Sequence, residues 1–527
     1  MAAPRARRLW QRIRGLPWQR FVAGVLAGGA GLALTFVLRL FGLGVFLPEV
    51  ATEFVVARIP GGIESFFITS MGEGAKLLGL VTALVVFLVL PGVYAVLWRR
   101  AEAWVTPGHW SKSPPAEGPK EPRRWATIAI YTAVPAAITL LVVLPVLGQG
   151  FLGSNTDVGA TLAVFSQVLG SWLTASVLDY FLVEVRARHP EGFNLSRRQF
   201  IAASAISVIG AVLAIYGLSS IVSRPGRLAF GSVLEMQANE ITPVNEFYTV
   251  TKNVVDPVVD PATWTLEVAG LVSTPASYTY DGLASSTQVD RTQTLECVSN
   301  AVGGNLIGNA MWRGVSLKDL LDRAVVSPDA DWVEFESADG YTVGVPLARA
   351  ADPASLVALK MNGLPLPPGH GFPARVLVPG VYGMFNAKWV TRIVVLKGEY
   401  LGFWQQKGWT NRGLIRTTAI IATPPDGSVV GSAVEIGGVA FAGDRGISRV
   451  EVSTDGGATW NPATLSPPLS GLAWVLWTYA WSPLSGGSRT ILARAVDGTG
   501  APQEAARNPP FPDGSSGYDS ISLLVRG

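Results

Sequence analysis

Five runs of apolar residues, near 21–47, 75–97, 126–147, 158–182 and 200–222, are each long enough to cross a hydrocarbon core as a helix, which takes about 20 residues. After Pro225 such runs stop. Short segments follow, punctuated by glycine and proline in TPVNEF, DPVVDP, NGLPLPPGHGFP and TPPDGS. Trp264, Leu266 and Val268 alternate with polar neighbours and predict a strand, RVLVPG reads as a short buried one, and Leu317, Leu320 and Leu321 share one face of a helix over Ser316–Ala324. The turn residues Thr423–Ser428 mark a boundary. Beyond them, Val450 and Val452 alternate up to the turn at Asp455–Gly457, and Thr490–Val496 alternates up to Asp497 and Gly498. Strands and turns at this spacing predict a β-sandwich of about 100 residues. The stretch Pro48–Gly74 is broken by Pro60, Gly61 and Gly62; no element is assigned to it, and the membrane interface is one place for it.

Charge sharpens the division. Of the 527 residues 49% are hydrophobic and 15% charged, against roughly 25% charged in an average soluble domain. Residues 1–225 carry a balance of +9 and residues 226–527 one of −6, which leaves no basic domain for nucleic acid. Sixteen arginines and lysines fall before the first run, between the second and third, and between the fourth and fifth, whereas the connections 48–74 and 148–157 carry only Arg58. Basic residues in short loops stay cytoplasmic, so this alternation predicts five spans with the N-terminus inside and everything after Val222 outside. Trp18, Trp98 and Trp125 sit at the cytoplasmic ends, where an amphipathic ring prefers the headgroup layer. Arg39 and Asp179 lie within about two turns of span ends and are read as snorkelling rather than as a transport relay. No histidine falls in a span, which excludes a bis-histidine haem among these helices. Ser196–Ile201, SRRQFI, stands directly before the fifth run and resembles a twin-arginine export signal, although paired arginines before a span also follow from topology alone.

One cysteine, Cys297, excludes an internal disulfide framework and multi-cysteine metal sites. On composition alone it reads as a buried packing residue, and His370, the one histidine after Pro225, as a solvated loop side chain. Their contexts carry more. TLECVSN around Cys297, GHGFPARVLVPGVYGMFNAKWV from Gly369 to Val390, and GVAFAGDRGISRVEVSTDGGATW from Gly438 to Trp460 together resemble the sulfite-oxidase-like molybdopterin oxidoreductases, over roughly 235–527.

The resemblance implies an α+β molybdopterin-binding domain at 226–415 and an immunoglobulin-like, dimerisation-type β-sandwich at 416–527, behind an all-α transmembrane region of five helices at 1–225. It implies that Cys297 binds molybdenum beside the dithiolene of one pterin. His370, Arg375 and Lys388 would hold the pterin and its phosphate, and Asn245, Phe247 and Tyr248 match a second pterin-contacting stretch. Lys252 falls near a basic active-site position. Two departures bear on the substrate. Sulfite oxidases follow the metal cysteine with an arginine pair, typically CAGNRR, where this chain has CVSNAVGG and no positive charge before Arg313; and Trp409, in GWTN, stands in the region of the usual active-site tyrosine.

The expected function is oxygen-atom transfer on a small molecule outside the cytoplasm by a membrane-anchored enzyme. No haem or flavin module is recognisable, so electrons are expected to pass to or from a separate partner, a quinone or a cytochrome, and a homodimer is allowed. Two alternatives stand beside this reading. One is reduction of a sulfoxide or similar oxide on the same fold, and the other is a non-catalytic membrane-anchored interaction module.

Overall fold

The computed structural model describes residues 18–71, 74–105, 121–156, 158–181, 226–253 and 256–526. The chain divides into two compact units, Met1–Arg58 with Lys76–Ile221, and Ile59–Ala75 with Val222–Gly527.

In the first unit, four helices among the described residues are long and apolar enough to cross a membrane: Arg20–Leu40, Gly74–Leu97, Trp125–Val146 and Gly159–Tyr180. The predicted span 200–222 and the SRRQFI motif lie outside the described residues. Small residues set the packing of the first helix on the last, since a Cβ added at Gly31 would collide with Thr174 and with the carbonyl of Gly170. Pro91 lies inside its helix, and Pro135 precedes a π-helical stretch at Thr139–Val143 where the hydrogen-bond ladder loosens. Arg39 forms a bidentate pair with Glu49, both contacts at 2.9 Å. Asp179 corrects the expectation from sequence: it is fully buried among the helices and does not reach for an interface.

The stretch 48–74, assigned nothing from its sequence, forms two helices, Leu47–Val56 and Gly61–Met71. Its prolines misled because they punctuate rather than break. Pro48 occupies the first turn, where its missing N–H is harmless, and Pro60 immediately precedes the second helix. The second of these helices belongs to the other compact unit.

That unit holds two sheets that carry the site. The first runs Ala276–Thr279, Thr265–Gly270, Val390–Leu396, Trp332–Ser337, Thr342–Pro346, with one parallel pairing, between Thr265–Gly270 and Val390–Leu396. Alternation sends Trp264, Leu266 and Val268 into its core, as their spacing predicts. The second sheet runs Val289–Glu296, Ile307–Ser316, Leu356–Met361, Leu364–Pro365, and Arg375–Leu377 adds to Leu356–Met361. The helix Leu317–Ala324 starts where the Ser316 hydroxyl accepts from the Asp319 amide at 3.2 Å, and it buries Leu317, Leu320 and Leu321.

Two further sheets face one another across a core of Ile421, Val450, Val452, Trp477, Ile491 and Leu523. Their strand orders are Thr418–Thr423, Val434–Phe441, Val475–Trp481, Thr464–Leu465, and Val429–Val430, Asp519–Val525, Gly487–Asp497, Ile447–Ser453, Asn461–Pro462. Thr418–Thr423 pairs with Val434–Phe441, so Thr423–Ser428 is a turn inside this β-sandwich and not the boundary its composition predicts. The residues are good turn formers, and turn chemistry reads alike between domains and between strands.

Candidate active site

Strand Val289–Glu296 ends by delivering Cys297 to the floor of a cleft of about 860 Å³, counted to its open mouth. Cys297 is 7% exposed, and its backbone is pinned by its amide donating to Leu306 O at 2.9 Å and by Asn300 N donating to Cys297 O at 2.9 Å. Beside it, Glu296 is buried and is not among the residues that line the cleft. Its carboxylate accepts from Asn300 Nδ2 at 3.1 Å, and burial pushes it up to about 7.

The opposite wall comes from the Gly- and Pro-rich loop. Pro368–His370 forms one 3₁₀ turn, and Gly371 follows at φ +109°, where a side chain would press on the Cβ atoms of Lys388 and Arg375 at 3.0 and 3.1 Å. This close approach brings His370, Arg375 and Lys388 to one wall. Arg375 is 5% exposed; its Nη atoms donate to His370 O at 3.2 Å and Asn386 O at 3.3 Å, while its Nε has no hydrogen-bond partner among the described residues. Lys388 Nζ donates to Gly369 O at 3.0 Å and lies 4.4 Å over the Trp389 ring. Burial, and then the charges of Arg375 and Lys388, hold His370 down to about 4, so its ring is neutral near pH 7. The carbonyl of Val244, 3.3 Å from Nε2, accepts only, which puts the ring proton on Nε2 and leaves Nδ1 as an acceptor.

A third wall is made by Phe247 and Tyr248, stacked at 5.4 Å. Burial, reinforced by Cys297, holds the Tyr248 phenol well above its ordinary range. Gly383 faces this phenol so closely that a Cβ there would lie 2.6 Å from its oxygen. Trp404 and Trp409 add to the lining; Trp409 is 4% exposed and packs edge-on against Phe511 at 5.2 Å.

Eight of the nine residues singled out from sequence thus line one cleft: Lys252, Phe247, Tyr248, Cys297, His370, Arg375, Lys388 and Trp409. Asn245 is the exception, exposed and outside the lining. Lys252 is in the wall but its charge is balanced: Nζ donates to Asp339 O at 2.7 Å and Asn253 Oδ1 at 3.0 Å and lies 3.7 Å from the Asp339 carboxylate. Arg313 is half-exposed, 3.9 Å from Asp290, and not among the lining residues. Sequence reasoning missed Asp339, Tyr341 and Met384. The Asp339–Gly340 pair signals only a hairpin turn between Trp332–Ser337 and Thr342–Pro346, and nothing local says that this turn faces Cys297.

The donor set fits a phosphate-bearing pterin. A buried guanidinium with an unused N–H, an ammonium and a neutral imidazole share one wall, and glycines leave backbone room beside them. No group of three or more His, Cys, Asp or Glu gathers among the described residues, so a metal here would take Cys297 as its protein ligand and draw the rest of its coordination from the cofactor.

Comparison with known proteins agrees with this geometry. A family model described as an oxidoreductase molybdopterin binding domain matches residues 253–404, and one described as a Mo-co oxidoreductase dimerisation domain matches residues 414–508. Sulfite oxidase of Gallus gallus is 32% identical over 312 residues, 50% of this chain and 68% of that protein. Mitochondrial sulfite oxidase of Drosophila melanogaster is 33% identical over 315 residues, 49% of this chain and 55% of that protein. A nitrate reductase [NAD(P)H] of Hordeum vulgare is 33% identical over 287 residues, 43% of this chain and 32% of that protein. The chain spans about half the length of most of the sulfite oxidases it matches.

Proposed function

Because the chain belongs to the sulfite-oxidase-like molybdopterin-dependent oxidoreductases, we propose that it holds one molybdopterin in the Cys297 cleft and transfers an oxygen atom to or from a small, uncharged or weakly charged molecule. The observation that carries this reading is the convergence of Cys297, His370, Arg375 and Lys388, drawn from two distant motifs, on one cleft. When bound, the cofactor supplies a two-electron couple and a site where oxygen is gained or lost. The protein supplies placement. Cys297 is the thiolate ligand, Arg375 offers its fork and Lys388 a point charge to the phosphate, and neutral His370 offers an acceptor to the pterin. Tyr248 stays protonated, as a donor within the cleft. Trp404 and Trp409 give the cleft apolar wall area.

Charge balance supports the substrate class. Lys252 is offset by Asp339, and Arg313 stands outside the cleft. Leaving a desolvated anion without a charge-assisted partner costs about 2 to 4 kcal/mol, or roughly 30-fold to 1000-fold in transition-state stabilisation. Sulfite with an artificial electron acceptor, set against a panel of sulfoxides with a reduced dye on one molybdenum-loaded preparation, tests this. Sulfite is expected to turn over poorly. Efficient sulfite turnover at low millimolar concentration or below contradicts the substrate assignment.

The apolar helices anchor this enzyme in a membrane, with the catalytic unit on the outer face and electrons passing to or from a separate partner. Parity supports the topology. Ile59–Ala75 and Val222–Gly527 form one compact unit and so share a face, which requires an even number of crossings between them. Three apolar helices are described in that interval, and the span read from sequence at 200–222 supplies the fourth crossing. The match over 414–508 supports a homodimer, and the two-sheet architecture supports the immunoglobulin-like reading of that region.

A further inference from the structure

The helix Gly61–Met71 lies in sequence between the first two membrane-length helices, yet it packs in the same unit as the cleft. Its packing face follows the helical repeat: Gly61, Glu64 and Ser65 are buried and Ile68 is half-buried, while Ile63 and Phe66 on the other side are exposed. Gly61 permits a close approach, because a Cβ there would stand 2.5 Å from Lys407 O, 2.8 Å from the Phe511 ring and 3.3 Å from Trp409 Nε1. One turn on, the Glu64 carboxylate pairs with Lys407 Nζ at 3.5 Å, both side chains 8% exposed. The ammonium also lies 4.3 Å over the Phe403 ring and 4.8 Å over that of Trp404. The helix is therefore fastened to the Phe403–Trp409 loop, which supplies two tryptophans to the cleft. From the next turn, Ile68 joins the lining itself.

We propose that this helix is a substrate-specificity element: Ile68 limits the size of molecule that reaches Cys297, and Glu64 masks the Lys407 charge, so that the Phe403–Trp409 side adds no attraction for anions to that of Arg375 and Lys388. This inference rests on the oxygen-transfer reading for its substrate, but its geometry stands without it. The Lys252–Asp339 pair is also near Phe403, with Lys252 Nζ 5.8 Å from the same ring. Lys252 and Lys407 each pair with a carboxylate, that of Asp339 and that of Glu64, and Glu64 comes from a segment distant in sequence.

Cys297 is the chain's single cysteine, so its alkylation reads access to the cleft without background. The probes are neutral iodoacetamide and anionic iodoacetate, applied to the full chain produced without molybdenum cofactor, with thermal unfolding recorded for every variant. Ile68→Ala is expected to speed iodoacetamide labelling and Ile68→Trp to slow it, while Ile63→Ser on the exposed face leaves it unchanged. Glu64→Gln is expected to raise the iodoacetate to iodoacetamide rate ratio roughly tenfold by uncovering a cation. Folded Ile68 variants that both label at the wild-type rate overturn the size gate, and an unchanged rate ratio in Glu64→Gln overturns the charge mask. In molybdenum-loaded enzyme, Ile68→Ala should change KM for whichever sulfoxide or sulfite turns over, by roughly tenfold, at unaltered molybdenum content. Absence of molybdenum or turnover in the wild type refutes the oxygen-transfer reading, whereas the labelling results alone decide whether the helix gates the cleft.

Discussion

His370 shows how one buried side chain reports on the whole site. The fold holds it down to about 4 against an ordinary value near 6.5, so above pH 6.5 the neutral ring suits both folded and unfolded chains. As pH falls from 6.5 to about 4 the unfolded chain takes up a proton that the fold refuses, and stability is lost. The cofactor-free wild type should therefore lose up to about 3 kcal/mol across that window relative to His370→Gln, which has no such proton to take up. Parallel thermal or denaturant unfolding at pH 7 and pH 4.5 checks this, and equal slopes for the two proteins would count against a buried neutral imidazole. Arg375 and Lys388 make a different prediction. Each offers charge-assisted donors to a phosphate, so Arg375→Ala and Lys388→Ala should each lower the pterin recovered per chain by roughly tenfold. Normal pterin content in both variants removes these residues from the cofactor site.

At the scale of elements, the loop Pro368–Gly371 and the strand end at Cys297 are what turn scattered residues into a site. Gly371→Ala places a Cβ against Arg375 and Lys388 at positive φ, and should cost about 1 to 3 kcal/mol and lower pterin content together; a variant of unchanged stability and content would show that the close approach is dispensable. Much of this was legible in the sequence. Alternation at Trp264, Leu266 and Val268 and the shared face of Leu317, Leu320 and Leu321 are local signals, and local physics decided them. The sandwich was legible for the same reason, but its edge was not, because Thr423–Ser428 turns between strands rather than between domains. The cleft residues were legible through motifs whose chemistry needs those side chains together. Asn245 shows the limit of carrying a motif over: it lies two positions from Phe247 in sequence and still faces outward. Asp339 and Ile68 reach the cleft through long-range packing, which leaves no trace in their neighbours, and the helix Gly61–Met71 was hidden by a Pro-Gly-Gly run that starts it.

For the whole molecule, the division into a membrane-length helical unit and a β-rich unit that captures residues 59–75 constrains topology as well as function. Reporter fusions at Thr156 and after Gly527 should both register outside the cytoplasm; opposite signals from the two break the parity argument, and cytoplasmic signals from both reverse the orientation. If the SRRQFI motif is read for export, Arg197→Lys with Arg198→Lys should trap the folded catalytic unit inside; normal export of that charge-conserving variant reduces the pair to a topology signal. The account's central claim is that Cys297 is the protein's own ligand to a pterin-held molybdenum. The direct measurement is molybdenum X-ray absorption on the purified wild type and Cys297→Ser, with metal content determined on the same samples. The account predicts molybdenum in the wild type with one more sulfur scatterer than in the variant, and turnover lost in the variant. Identical sulfur coordination in the two proteins, or a wild type that carries no molybdenum, would contradict it.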